Sequence, residues 1–129
     1  MKRITFVFLV FTIVSCASLP SYKNNPLEAM SGKWVIAGES CEKNGFTYRL
    51  SKDKSKQIFD HTDGSHFSAD ILKVGEGMFL LEYENETRTT DSGEPLKWWF
   101  IYEDQNTYYM KRDDWDWTMR TEGSWTRCN

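Results

Sequence analysis

The sequence predicts an all-β fold, a small antiparallel up-and-down β-barrel of about eight strands. Three observations predict it. From Gly32 onward, short segments of alternating apolar and polar residues, rich in aromatic and β-branched side chains, follow one another. Breaks containing Gly, Asn or Asp separate them, and every break is short, which joins antiparallel rather than parallel neighbours. No segment sustains the 3.6-residue period of an amphipathic helix. Hairpin-after-hairpin order favours a barrel over a sandwich, and closure removes the edges at which sheets aggregate.

The chain has 129 residues, enough for one domain. It divides into a leader (1–15), a tether (16–30) and a barrel domain (31–129). The leader, "MKRITFVFLVFTIVSC", places Lys2 and Arg3 before an apolar-and-Thr run from Ile4 to Val14. That run falls short of the roughly 20 residues needed to cross a bilayer, and matches an export signal. Its end reads in two ways. "IVSC", Ile13 to Cys16, resembles the lipobox of bacterial lipoproteins, whereas Ser15-Cys16-Ala17 also fits an ordinary signal-peptidase site. The lipobox is preferred. It implies a bacterial source, acyl chains on Cys16 as the contact with membrane, and, with Ala17 following, sorting to the outer membrane. The second cut implies a periplasmic or secreted protein.

Either cut leaves Cys41 and Cys128 of the three cysteines, and an oxidising compartment pairs them. Removing Lys2 and Arg3 takes the net charge from −3 to −5, with both signs interspersed. Without a basic stripe there is no surface for nucleic acid.

Residues 17–30, "ASLPSYKNNPLEAM", read as a polar tether with a short helical turn at 26–30. The expected strands are 33–37, 46–51, 56–61, 65–74, 78–87, 96–103, 107–112, 115–121 and 125–128, nine segments of which one or two merge or fade. Asp63-Gly64 is the strongest hairpin signal. In "RDDWDWTMR" (112–120), Trp115, Trp117 and Met119 alternate with Asp114, Asp116, Thr118 and Arg120, as in a half-buried strand. The stretch has no glycine for a calcium loop, so its aspartates are expected to face solvent.

The six tryptophans and the five phenylalanines beyond the leader are many large rings for a small barrel. They fill the interior, as small barrels normally require, or line a pocket for a hydrophobic small molecule. The candidate ligand-binding residues are Trp34, Trp98, Trp115 and Trp117. Trp98 and Trp99 are adjacent, so one of them points outward and offers a contact residue.

Catalytic signals are thin, and the expectation is a non-enzymatic chain without cofactor. His61 and His66 would face each other across a two-residue Asp63-Gly64 turn, but a metal would need a further ligand such as Asp60 or Asp70, and no metal site is assigned. Glu82, Glu84 and Glu86 share one face, as a solvated side would. There is no Gly-rich phosphate loop and no G-x-S-x-G elbow.

Gly32-Lys33-Trp34 resembles the G-x-W that opens the first strand of lipocalins and related calycin barrels. That resemblance implies a tryptophan packed across the barrel bottom near an arginine from the last strands, here Arg127 rather than Arg120. The stretch 30–41 is also similar to small calycin barrels that inhibit secreted metalloproteases, although there the first cysteine pairs within its own half of the chain. Lipoprotein inhibitors of lysozyme share a first-to-last disulfide, and Ser92-Gly93 faintly resembles their Ser-Gly-x-Tyr loop. These likenesses imply a binding module. Its partner is a hydrophobic small molecule or, alternatively, an envelope protein held through the loop 88–95, "RTTDSGEP".

Overall fold

A computed structural model describes residues 20–129. The leader and Cys16, assigned above to export and lipidation, lie outside the described residues. Eight strands close into an antiparallel barrel in chain order. They are β1 (Gly32–Ile36), β2 (Phe46–Leu50), β3 (Lys56–His61), β4 (His66–Gly75), β5 (Met78–Tyr83), β6 (Trp98–Asp104), β7 (Thr107–Arg112) and β8 (Trp125–Arg127). Each strand pairs with the next, and β8 returns to β1 through Trp34–Arg127, Val35–Thr126 and Ile36–Trp125. Two helices of one turn each, α1 (Pro26–Ala29) and α2 (Cys41–Asn44), flank β1.

The alternation read in the sequence places the interior. Phe79 and Leu81 on β5, Trp98, Phe100 and Tyr102 on β6, and Tyr108 on β7 join Trp34, Tyr48 and Phe59 in one buried cluster. Rings occupy the centre: Phe100 stacks on Tyr108 at 5.2 Å, Tyr48 meets Phe59 edge-on at 4.7 Å, and the Tyr48 and Tyr108 hydroxyls hydrogen-bond to each other across the barrel. Burial raises the pKa of both phenols far above the ordinary tyrosine value, so both stay neutral. The middle of the barrel is packed with these rings.

The N-terminal segment closes one end. Residues 22–30, which the sequence places in the tether, lie against the barrel. Ala29 and Met30 are fully buried, the Tyr22 ring packs on Tyr102 at 5.3 Å, and the Tyr102 hydroxyl donates to the Pro26 carbonyl. Proline at the start of α1 and the apolar Leu27, Ala29 and Met30 let this turn act as a plug. The folded unit therefore starts near Tyr22 rather than at residue 31. Met30→Ala is expected to cost about 2–5 kcal/mol in urea unfolding, as core truncations do. A cost below about 0.5 kcal/mol, the range for surface positions, would return the segment to the role of a tether.

Segment 115–121 is not a strand. Asp113 and Asp114, just after β7, and the segment's own polar residues make turns instead. Asp116 accepts hydrogen bonds from the Thr118 amide and hydroxyl at 2.9 and 2.8 Å, Met119 N–H reaches the Asp116 carbonyl, and Asp114 pairs with Arg112. Aspartate bonding to nearby backbone competes directly with ladder formation, and here it overrides the alternation. Trp117 and Met119, expected to face the core, are instead 61% and 51% exposed.

The resulting loop changes the fate of Trp99. Its side chain points outward from β6, yet only 8% of it is exposed. The Trp117 ring lies 5.5 Å away, and Asp113 accepts the Trp99 indole N–H at 2.8 Å. Lys111, opposite Trp99 on β7, is fully buried in the same outer-wall cluster, its ammonium on the Arg112 carbonyl at 2.7 Å and over the Trp117 ring at 4.5 Å. Trp99 is therefore a covered residue and not an open contact.

Candidate functional site

The two ends of the barrel differ in chemistry. At the closed end, Trp34 is fully buried on β1 and donates its indole N–H to the Met30 carbonyl at 2.9 Å. The Arg127 guanidinium stacks over the Trp34 ring at 4.3 Å and donates to the carbonyls of Ser31, Ala29 and Gln105. Gly32, at φ +127°, lets the chain enter β1 here; a Cβ would stand 3.1 Å from the Arg127 Nη1. Gly32, Trp34 and Arg127 thus form one closed assembly. Arg120 takes no part in it, pairing with Glu103 and lying over Tyr109.

The other end is a mouth. The strand ends that form it carry aromatic rings: Phe46 on β2, Phe67 on β4, Tyr83 on β5, Trp98 on β6 and Trp125 on β8. Phe67 stacks on Phe59 below it at 4.8 Å and meets Tyr83 at 5.6 Å and Phe46 at 5.8 Å. Trp115 comes over from the 113–124 loop to meet Trp98 edge-on at 6.0 Å. A pocket of about 280 Å³ opens here, lined by Phe67, Tyr83, Asn85, Glu86, Thr87 and Arg88. A second hollow of about 340 Å³, lined by His66, Phe67, Ser68, Glu84 and Asn85, shares a wall with it.

One ion pair sits in this mouth. β5 ends at Tyr83, and the Glu86 amide donates back to the Tyr83 carbonyl in a turn. The turn breaks the expected shared face of Glu82, Glu84 and Glu86. Glu84 stays outside, held by Lys56 and Ser68, whereas the Glu86 side chain is only 4% exposed. Arg88 grips it with Nε and Nη2 at 2.8 and 3.0 Å, its guanidinium lying 5.5 Å over the Trp98 ring. That fork holds the Glu86 carboxyl below the ordinary range. Burial pushes the Tyr83 phenol above the tyrosine range, so it is neutral.

Of the four candidate ligand-binding tryptophans, the structure brings together only Trp98 and Trp115. Trp34 belongs to the opposite, closed end, and Trp117 lies on the outer wall. Phe67 and Tyr83 are not singled out in the sequence, Glu86 is read there only as part of a solvated face, and Arg88 only as the first residue of the loop 88–95. A strand-ending turn at Glu84-Asn85 would have been the signal for Glu86, but "EYENE" alternates cleanly enough to hide it.

The histidines do not meet. Asp63-Gly64 makes a three-residue connection in which His61 bonds to Ser65, so His66 stands opposite Asp60. The extra residue is accommodated by Gly64 at φ +90°, and Asp63 accepts from Ser65, which lowers its carboxyl to about 2. His61 turns onto the Phe46 ring at 4.5 Å. Among the described residues, no three His, Cys, Asp or Glu side chains are grouped to hold a metal ion.

Cys41 and Cys128 form a disulfide, with Cα atoms 6.1 Å apart. Ser40 caps α2 through its side chain and presents Cys41 beside β1, while Cys128 follows the last residue of β8. Fold and site together define a class: a small closed antiparallel barrel, stapled at its seam, plugged at one end and aromatic at the other. No family model, curated protein or solved structure matches the chain.

Proposed function

We propose that this chain is an exported, lipid-anchored, non-catalytic binding module of the bacterial envelope, lipocalin-like in kind, that holds a small hydrophobic molecule in its aromatic mouth. The observation that carries the reading is the mouth pocket: Phe67 and Tyr83 form apolar walls beside a single fixed charge pair, Glu86 and Arg88. Because the centre is filled by Tyr48, Phe59, Phe100 and Tyr108, the occupant is short and sits at the rim. A long acyl chain has no channel to enter.

The anchor suits this arrangement. With acyl chains on Cys16, the closed end, where Tyr22 packs on Tyr102, is the end nearer the anchor in sequence. The plug then faces the outer membrane and the mouth faces away from it. Signal-peptidase cleavage after Ala17 would instead release the same module to the periplasm or medium. Intact mass decides between them, through the presence or absence of acyl chains on Cys16.

The test of the mouth is titration with N-phenyl-1-naphthylamine, a neutral apolar dye, read by dye emission and tryptophan quenching. Saturable binding is expected, weakened at least about tenfold in Phe67→Ala, which removes one wall. Saturable binding that Phe67→Ala leaves unchanged would move the site elsewhere, and no saturation would remove it.

A second reading, an envelope protein-binding module such as a protease or lysozyme inhibitor, draws on the loop 88–95. It is an ordered, exposed hairpin, bridged at Thr89 and Pro95 and tied by the Thr90 amide to the Glu94 carbonyl at 2.8 Å. Such a hairpin offers a preformed edge to a partner. Replacing 89–94 by a neutral linker of equal length is expected to abolish partner capture under this reading and to leave dye binding intact.

A further inference from the structure

We propose that the mouth pocket is a subsite for organic cations, a positively charged nitrogen carrying apolar or aromatic substituents, and that Arg88 is its placeholder in the free protein. This rests on the reading of the mouth as a binding site and names the ligand class.

The argument starts from Glu86. Its side chain is 4% exposed, and a carboxylate so far out of water requires a cation beside it. The chain supplies one from two residues away. Arg88 bonds both Glu86 oxygens and places its guanidinium over the Trp98 ring. The cation is thus met by a carboxylate on one side and an indole face on another, the two groups that recognise organic cations. Yet the Arg88 side chain is itself 63% exposed and is held by little else. Glu86 is the inward partner of the pair, covered while Arg88 lies on it, and Arg88 is the partner open to solvent.

The walls fit the same ligand. Phe67 and Tyr83 line the pocket beside Glu86, and the Arg88 guanidinium lies over the Trp98 ring rather than over either of them. An incoming ammonium with apolar substituents satisfies Glu86 as Arg88 does and also covers these rings, which the guanidinium leaves open. A neutral ligand leaves the ion pair in place and gains only the rings. An anion fares worse. Glu84 and Glu86 line the two adjoining hollows, and Arg88, already committed to Glu86, is the one permanently cationic residue among their lining side chains. The Trp98 indole N–H is buried at the same corner and, after the Arg88 fork, also helps hold the Glu86 carboxyl in its charged form.

The test compares phenyltrimethylammonium with its neutral isostere tert-butylbenzene, by tryptophan fluorescence and by NMR shifts of the Arg88 side-chain Nε–H. The wild type is expected to bind the cation at least about tenfold more tightly, with the Arg88 Nε–H signal moving toward that of a solvated arginine as the cation displaces it. Arg88→Ala, by vacating the site, is expected to tighten cation binding about tenfold further, and Glu86→Gln to abolish the preference. The double variant Glu86→Gln/Arg88→Ala leaves no buried charge and controls for a folding defect in Arg88→Ala; it is expected to bind both compounds alike. Equal wild-type affinity for the two compounds would overturn the cation subsite while leaving an apolar mouth site standing. Binding of neither would overturn both. Cation binding with an unmoved Arg88 signal would overturn the placeholder role.

Discussion

Replacing Cys41 and Cys128 together by serine is expected to cost the barrel about 4–5 kcal/mol, the loop-entropy value for a closure this long. The residues stand 87 positions apart, so the bridge constrains nearly the whole barrel sequence in the unfolded state. Against a net stability of about 5–15 kcal/mol for a small domain, that is enough to leave part of the population unfolded. The folded state gives a second reason for a large effect. β8 has three residues and is held by three pairings to β1 and two to β7. It is the shortest strand and the one that closes the cylinder, and Cys128 is the next residue after it. Without the bridge, β8 is expected to fray first.

Two measurements check this. In urea, the reduced or Cys→Ser protein should show a lower midpoint and a steeper slope, because an unbridged denatured chain exposes more surface. In hydrogen exchange, amides that close the seam, such as those of Ala37, Arg127 and Cys128, should lose protection before those of β4 and β5. A midpoint unchanged by reduction would mean that Trp125 and Arg127 hold the seam by packing alone.

The barrel itself was legible because its cause is local. Period-two alternation and short Gly- or Asn-containing breaks appear in the sequence as they appear in space, and eight of the nine expected segments are strands. The ninth, 115–121, alternates as cleanly as any of them. Nothing in its spacing announces that Asp116 bonds to Thr118 or that Asp113 is drawn to the Trp99 indole. Those bonds depend on a neighbour 14 positions away and on a turn that side chains choose. The hairpin at Asp63-Gly64 shows the same limit on a smaller scale, where one extra residue separated two histidines that a tighter turn would have joined.

The site was less legible than the fold for a related reason. Tryptophans were singled out by size, and size marks packing as readily as binding; Trp34 is the largest side chain in the closed core. The mouth was assembled from strand ends, where Phe67, Tyr83 and Trp98 converge only once the barrel is closed. Glu86 left the alternation at a turn, and its burial beside Arg88 is a property of the loop's path. The pair Cys41 and Cys128, by contrast, needed only compartment and count.

Trp34→Ala is expected to produce the other large loss, about 3–5 kcal/mol for emptying a fully buried indole site. Its consequences reach beyond the cavity, because Trp34 organises the closed end from both faces. The indole N–H satisfies the Met30 carbonyl, and the ring carries the Arg127 guanidinium, whose donors hold the carbonyls of Ala29, Ser31 and Gln105. These three carbonyls belong to the plug and the adjoining entry of β1 and to the β6–β7 turn, so one arginine on β8 ties together two parts of the chain distant from each other in sequence. Among the described residues no carboxylate pairs with it; burial lowers its pKa, and the indole face and carbonyl dipoles stabilise the charge. Trp34→Phe keeps a ring but orphans the Met30 carbonyl, and is expected to cost about 1–3 kcal/mol. Arg127→Lys keeps the charge but not the fork, and is expected to cost a similar amount, because a single ammonium cannot reach three carbonyls in that geometry. The two residues should also be coupled. In a double-mutant cycle, Trp34→Phe and Arg127→Lys together are expected to cost less than the sum of their separate effects, by about 0.5–2 kcal/mol, the value of the shared stacking contact. Strict additivity in urea unfolding would show that each residue holds the plug on its own, and that their contact adds nothing to the closed end.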